Sequence, residues 1–380
     1  MFNSVAEIKA AAQAFYGILT PKDFAKTVLV KWEECLRLCM GIGSSRPYTI
    51  NSRIDGKTVL ITGCNTGIGK FTAQELYRIG GRIIMACRDV AKAEQAAEDI
   101  RKVVSEADPE NKVGELIIKK LDLGSKESIR SCADDIKQSE KQINILINNA
   151  GVMIPPYQKT TDGFELQFGT NHLGHFYLTY LLLPTILAST PARIINVSSV
   201  AHERGHMNWD DLNSEKSYHA RTAYSQSKLA NVLFSRELAS RLEGTGVNVY
   251  SLHPGIILTE LGRHVDEIYF KGFRRILRPM LSPFTKSIEA GAATTLYCAL
   301  DESIANESGY SRKCYLLHAF VVAFWTHNKH IFRLEIGRRG RHFTGKHCFH
   351  WLSCTYDCLE KIYVIFCALT AFSYVLFSLN

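Results

Sequence analysis

Tyr224 and Lys228 stand four residues apart in the run Tyr-Ser-Gln-Ser-Lys, a spacing that puts both side chains on one face of a helix. The chemistry this allows is proton transfer. A free phenol titrates near pH ~10 and is a poor acid-base catalyst at neutral pH, but an ammonium beside it favours the phenolate. Tyr-x-x-x-Lys also arises by chance in many helices, so the weight of the pair depends on the elements that would position it.

Those elements begin upstream with a nucleotide-binding pattern. Residues 58–62 read as a strand that runs into Gly63-Cys64-Asn65-Thr66-Gly67-Ile68-Gly69 and then a helix to about residue 80. Glycines at this point allow a tight turn and bring backbone N–H groups close to a pyrophosphate at the helix N-terminus. A second strand is predicted over 82–87, at the distance a dinucleotide-binding unit requires. Its end distinguishes the two nicotinamide cofactors, since an acidic residue there would bind the ribose hydroxyl and repel a 2′-phosphate. This chain has Cys87 followed by Arg88, which favours NADP(H). Asp89 is the opposing acidic residue, with N-capping of a helix beginning at Val90 as its structural alternative. A strand over 116–121 leads to Asp122-Leu123, positioned for the adenine, and another over 143–147 opens into Asn148-Asn149-Ala150-Gly151. Short apolar strands alternating with polar-faced helices from residue 55 onward predict an α/β fold: a doubly wound parallel sheet, or Rossmann arrangement, in a single catalytic domain.

The bulk properties fit this picture. A chain of 380 residues that is 46% hydrophobic can bury a substantial core. Residues 310–380 hold nine Lys/Arg against three Asp/Glu, a net +6 of the total +8, so the body is nearly neutral and no nucleic-acid face is expected on it. Eleven cysteines without a framework of spacings read as mainly reduced thiols and a core facing the cytosol. The first residues lack a basic start followed by a strong apolar run, so no secretory signal is expected. Residues 1–54 instead suggest two amphipathic helices, one with Ser4 and Glu7 as a capping box and one entered through Thr20-Pro21. They either pack against the body or a second subunit of a homo-oligomer, or lie on a membrane surface.

With these motifs assembled, the chain resembles the short-chain dehydrogenase/reductase family, and within it the retinol dehydrogenase group whose members reduce retinal-type aldehydes. The likeness rests on residues 62–69, Ala86-Cys87-Arg88-Asp89, Asn148 to Gly151, Asn171-His172-Leu173-Gly174-His175-Phe176, residues 196–202, Tyr224 to Lys228 with Ala230-Asn231, and His253-Pro254-Gly255, and covers about residues 55–309. It implies that Tyr224 exchanges a proton with the substrate oxygen, that Lys228 lowers the tyrosine pKa and holds the nicotinamide ribose, and that Ser199, rather than Ser198, hydrogen-bonds the substrate oxygen. It further implies that Asn171 supports a water joining Lys228 to solvent, and that Pro254, Gly255 and Thr259 border the nicotinamide. Each residue has a plainer role open to it: Asn171 as a backbone crosslink, the serines as turn formers, Pro254-Gly255 as a loop break. One site explains all of them together. The resemblance gives His172, His175 and His202 no proton-transfer role, and they read as satisfied interior or helix-surface residues.

Segment 262–284 carries Tyr269, Phe270, Phe273, Met280 and Phe284, apolar enough to wall a lipophilic pocket or to be the core of a helix pair. After Gly309 the resemblance ends. The stretch 315–325 is apolar but too short to span a bilayer, and could replace the family's last strand. Residues 310–361 form a divergent basic segment whose His342, His347, Cys348, His350, Cys354 and Cys358 fit no metal-ligand spacing, so no metal is expected. Residues 362–379 are uncharged, long enough for a transmembrane tail anchor, and follow a basic run that would leave the catalytic domain on the cytosolic side. The address expected is the endoplasmic reticulum first and a mitochondrial membrane second. The function expected is NADP(H)-dependent interconversion of a small lipophilic aldehyde or ketone, retinal-like ones foremost, with its alcohol. The rival is a nucleotide-binding scaffold without turnover, its substrate site lost through the altered carboxyl end.

Overall fold

The computed structural model describes residues 48–255, 257, 286–305 and the backbone of 320–321, all within one compact unit of the chain. The expectations for residues 1–47, for Thr259 and the apolar segment 262–284, and for the basic and uncharged stretches of 322–380 lie outside the described residues.

Nearly unbroken apolar runs build the centre of the fold, as strands buried on both faces require. The strands β1 (Thr58–Thr62), β2 (Arg82–Cys87), β3 (Glu115–Lys120), β4 (Ile145–Asn148), β5 (Ala192–Val197) and β6 (Val247–His253) form a parallel sheet in the order β3-β2-β1-β4-β5-β6. Phe320–Val321 adds as β7, antiparallel to Leu252 and His253. Side chains alternate across the sheet. Val59, Ile61, Ile83 and Met85 pack under helices α1 (Gly67–Arg78), α2 (Val90–Ala107) and α6 (Ile288–Leu300). Leu60, Ile84, Leu146 and Ile194 face α3 (Lys126–Ser139), α4 (Gly174–Leu187) and α5 (Ala220–Arg241). The chain therefore winds outward from β1 in one direction and returns to start β4 beside it. A crevice opens at that reversal, beyond the carboxyl ends of β1 and β4.

The first two strands have the limits expected from sequence. The third begins and ends one residue earlier than expected, because its pairing with β2 runs in register from Arg82↔Glu115 to Cys87↔Lys120. The fourth starts two residues later and includes Asn148, which pairs with Asn196. Helix α1 stops at Arg78, ahead of Gly80, which turns the chain at φ +93°. Asp89 caps α2, its carboxylate accepting from Lys92 N at 3.1 Å. Among the described residues no helix is long and apolar enough to cross a membrane.

Candidate active site

The mouth of the crevice is built on backbone rather than side chains. Gly63 and Gly67 hold φ of +63° and +56°, the left-handed region in which a Cβ is strained. A Cβ on Gly63 would sit 2.8 Å from Ala150 Cβ, and one on Gly69 would sit 2.5 Å from Asn149 Nδ2 and 2.7 Å from Gly63 O. The turn thus packs directly on Asn149 and Ala150, which leave β4 beside it. Asn149 Nδ2 fastens the two by donating to Thr62 O and Gly63 O at 2.9 and 3.1 Å. The N-cap of α1, Thr66, makes no side-chain capping bond, and the first turn carries no acidic residue. Its N–H groups and the positive end of the helix dipole are therefore left for an anion. The cradle fits a dinucleotide pyrophosphate, with Asn65, Thr66 and Ile68 in the same turn. Arg88 is exposed at the end of β2. Asp122 closes its own turn by accepting from Gly124 N at 2.9 Å, and Leu123 is buried beside it. Pro254 and Gly255 leave β6, Gly255 at φ +91° with its N–H donated to His253 Nδ1 at 3.1 Å.

Tyr224 and Lys228 lie in the first half of α5 and are 6% and 3% exposed. Lys228 Nζ donates to Val197 O at 3.0 Å and lies 5.8 Å from the centre of the Tyr224 ring. It also borders the nucleotide crevice, since a Cβ on Gly151 would be 3.5 Å from Nζ. The two serines after β5 diverge. Ser198 Oγ donates to Lys228 O at 2.7 Å, in the interior. Ser199 Oγ accepts from Ala201 N at 3.2 Å, capping the turn Val200–Arg204, and its hydroxyl is the group that lowers the Tyr224 pKa.

Burial outweighs charge at this pair. It pushes the Tyr224 phenol up to about 12 while the Ser199 hydroxyl pulls it back, and it holds the Lys228 ammonium down to about 8. Sequence reasoning expected Lys228 to lower the tyrosine. Desolvation of both groups dominates instead, and the lowering influence on the phenol comes from Ser199.

Asn171 sits in a π-helical segment, Gly169–Leu173, between the turn Leu166–Phe168 and α4. Its Oδ1 accepts from Val152 N at 2.8 Å, and its Nδ2 donates to Val152 O and Ser227 Oγ at 2.9 and 3.0 Å. Its carbonyl accepts from Asn231 Nδ2 at 3.1 Å and meets His175 Nδ1 at 2.9 Å. The side chain is therefore a crosslink between the Gly151 loop and α5.

His175 is a satisfied interior histidine, as its sequence context leads one to expect, and its partners are distant in the chain. Its Nε2 is 2.8 Å from Thr62 Oγ1, and that oxygen accepts from Asn149 N and Ala150 N at 3.0 Å each. Because Asn171 O can only accept, Nδ1 carries the proton, Nε2 accepts from the Thr62 hydroxyl, and the imidazole is neutral. Burial holds its pKa down to about 3. One chain of bonds thus runs from the glycine turn through Thr62, His175 and Asn171 to α5. The only sequence signal for it was a histidine one helical turn after Asn171.

Comparison with known proteins adds the following. The sequence profile described as short chain dehydrogenase matches residues 57–268. Mouse retinol dehydrogenase 12 is 51% identical over 261 residues, covering 69% of this chain and 78% of the relative. Human retinol dehydrogenase 13 is 52% identical over 258 residues, covering 67% and 76%. Among solved structures, the RhlG/NADP active-site complex of Pseudomonas aeruginosa is similar with a TM-score of 0.52 and 26% identity, covering 70% of this chain and 95% of the other.

Proposed function

Because the chain belongs to the short-chain dehydrogenase family, in its retinol dehydrogenase-like group, we propose that it is an NADP(H)-dependent oxidoreductase interconverting lipophilic aldehydes or ketones and their alcohols, with retinal and retinol favoured. The observation that carries the reading is the buried Tyr224 and Lys228, with Nζ 5.8 Å from the phenol ring, at the Gly151 wall of the nucleotide crevice.

A nicotinamide bound in the crevice would exchange a hydride with the substrate carbon. The remaining work falls to the chain's own side chains. Ser199 donates to the substrate oxygen and holds it against the Tyr224 hydroxyl. Tyr224 gives up its proton to that oxygen in reduction and takes it back in oxidation. A phenol raised by burial is neutral at pH 7, which suits it to donate toward a far more basic alkoxide. Lys228, fixed at one N–H by Val197 O, turns its remaining donors to the ribose hydroxyls and favours the phenolate once the proton has left. Asn171 keeps Gly151 and α5 in register. A dinucleotide would be held by Gly63, Gly67 and Gly69 with Asn65, Thr66 and Ile68 at the pyrophosphate, by Asp122 and Leu123 toward the adenine and by Asn149, Ala150 and Gly151 along the crevice, with Pro254, Gly255 and Thr259 the residues the family resemblance would assign to the nicotinamide.

Preference for NADP(H) is supported by Arg88, exposed at the end of β2, while Asp89 beside it is engaged as a helix cap. Retinoid specificity is supported by the names of the relatives, and by the apolar composition of residues 262–284. A membrane address, endoplasmic reticulum before mitochondrion, is supported by the uncharged run 362–379. The test is oxidation of NADPH and of NADH by the full-length detergent-purified chain, with all-trans-retinal and simpler aldehydes. Faster turnover with NADPH is expected, and Arg88→Glu should weaken NADPH by about tenfold or more relative to NADH, the scale of one lost charged contact. NADPH bound without carbonyl-dependent oxidation would overturn the reading in favour of the scaffold.

A further inference from the structure

Two of the chain's cysteines meet beneath the nucleotide turn. Cys64 is the second residue of the glycine turn and Cys87 the last of β2, and their sulfurs lie 4.0 Å apart with both side chains buried. Neither is used in the reaction derived above. Their surroundings differ. Cys64 Sγ lies 3.3 Å from Ile61 O as well as 4.0 Å from Cys87 Sγ. The Cys64 thiol beside it is the main influence holding the Cys87 pKa below the usual thiol range, against burial. Burial and the neighbouring sulfur push Cys64 up. The two sulfurs are within reach of each other, and Cys87 is the more readily ionised of the pair.

We propose that Cys64 and Cys87 form a disulfide under oxidation by hydrogen peroxide, and that this modification closes the nucleotide site. Cys87 thiolate attacks one peroxide oxygen, the O–O bond breaks, and the departing hydroxide leaves as water with a proton. Cys64, giving its proton to the hydroxyl on Cys87, then attacks that sulfur. The S–S bond forms and a second water is released. The two thiols lose two electrons and the peroxide gains them.

The consequence follows from packing. A bond between the sulfurs must draw Cys64 Sγ and Cys87 Sγ about 2 Å closer than they now stand. A Cβ on Gly69 would meet Cys64 Cα at 2.9 Å, so Cys64 backbone and the first turn of α1 have no slack between them. Movement of Cys64 therefore displaces the N–H groups that face the pyrophosphate. Dinucleotide already in place holds the turn where it is and opposes the reaction. The inference rests on the nucleotide-site reading, and the closing experiment separates the two.

Full-length protein is treated with hydrogen peroxide with and without saturating NADPH, alkylated, digested and mapped by mass spectrometry, with NADPH binding measured in parallel. The expected result is a Cys64–Cys87 linked peptide and NADPH affinity reduced by about tenfold or more, both reversed by dithiothreitol and both slowed by bound NADPH. In Cys64→Ala, with no partner thiol, Cys87 should proceed to sulfinic acid, and lost binding should not return on reduction. Separate, fully alkylated Cys64 and Cys87 after binding is lost would overturn the proposal. So would linked protein that binds NADPH as the reduced form does, or a Cys64→Ala variant that recovers like the parent. The linked peptide is detected without reference to cofactor, so a reduced protein that fails to bind NADPH counts against the proposed function and not against the thiol pairing.

Discussion

Ser198 Oγ donates to the carbonyl oxygen of Lys228 at 2.7 Å, so the serine before Ser199, the proposed catalytic one, is a strut between β5 and the helix that carries Tyr224 and Lys228. Successive residues of an extended chain point to opposite sides. Ser199, one step further, lowers the Tyr224 pKa instead.

The two serines should therefore fail in different ways. Ser199→Ala is expected to lower kcat by on the order of 10²-fold, through the lost hydrogen bond to the reacting oxygen, with little change in stability. Ser198→Ala removes a buried hydrogen bond and should cost about 1–2 kcal/mol of folding stability, with a smaller effect on kcat. Steady-state rates and denaturant midpoints measured side by side check the split, and equal kinetic loss in both variants would contradict it.

Lys228 is held against its own solvation. Its pKa falls from 10.5 to about 8 in the folded chain, so at pH 7 the native state carries a buried ammonium at a penalty of about 3 kcal/mol. Lys228→Met removes that penalty and loses the bond to Val197 O, worth about 1 kcal/mol. The variant should be inactive yet more stable than the parent at pH 7 by roughly 2 kcal/mol, on the same scales. Between about pH 8 and 10.5 the unfolded chain keeps a proton that the native chain has released, so the parent gains stability with rising pH and the difference narrows. Denaturation at pH 7 and pH 9.5 reads both signs.

His175 acts with the same sign in the acid range. Its folded pKa near 3 is depressed from 6.5, so the stability it contributes is present above pH 6.5 and is lost as pH falls toward 3. His172 and His253, each held down to about 4 by burial, act in the same direction. His175→Leu should lower stability at pH 7 by about 2–4 kcal/mol, since Thr62 and Asn171 each lose a buried partner, and should flatten the acid dependence between pH 6.5 and 4. Denaturant midpoints across that range are the measurement.

The parts of the site legible in sequence are those whose constraint is local. Gly63, Gly67 and Gly69 announce themselves because only a strand, a tight turn and a helix in succession need them. Tyr224 and Lys228 announce themselves through a single helical turn. The limits of β1 and β2 follow from apolar runs bounded by turn residues. What the sequence did not disclose depends on chain segments meeting across the fold. Thr62 and His175 are 113 residues apart, and nothing near either predicts that a hydroxyl, an imidazole and a carbonyl will line up. The sulfurs of Cys64 and Cys87 meet only because β1 and β2 are adjacent in register. The direction of the Tyr224 shift was misjudged for a related reason: spacing reveals the charge beside the phenol but not the depth at which both are buried.

The central claim is that Tyr224 is the proton donor of an NADPH-dependent carbonyl reduction. The most direct test compares the full-length chain with Tyr224→Phe, which keeps the ring packed and deletes the hydroxyl, in NADPH oxidation with all-trans-retinal and in NADPH binding. The account predicts that kcat falls by about 10²-fold to 10⁴-fold, the range of a lost general acid, while NADPH binds within a few-fold of the parent. Undiminished turnover by the phenylalanine variant would contradict it.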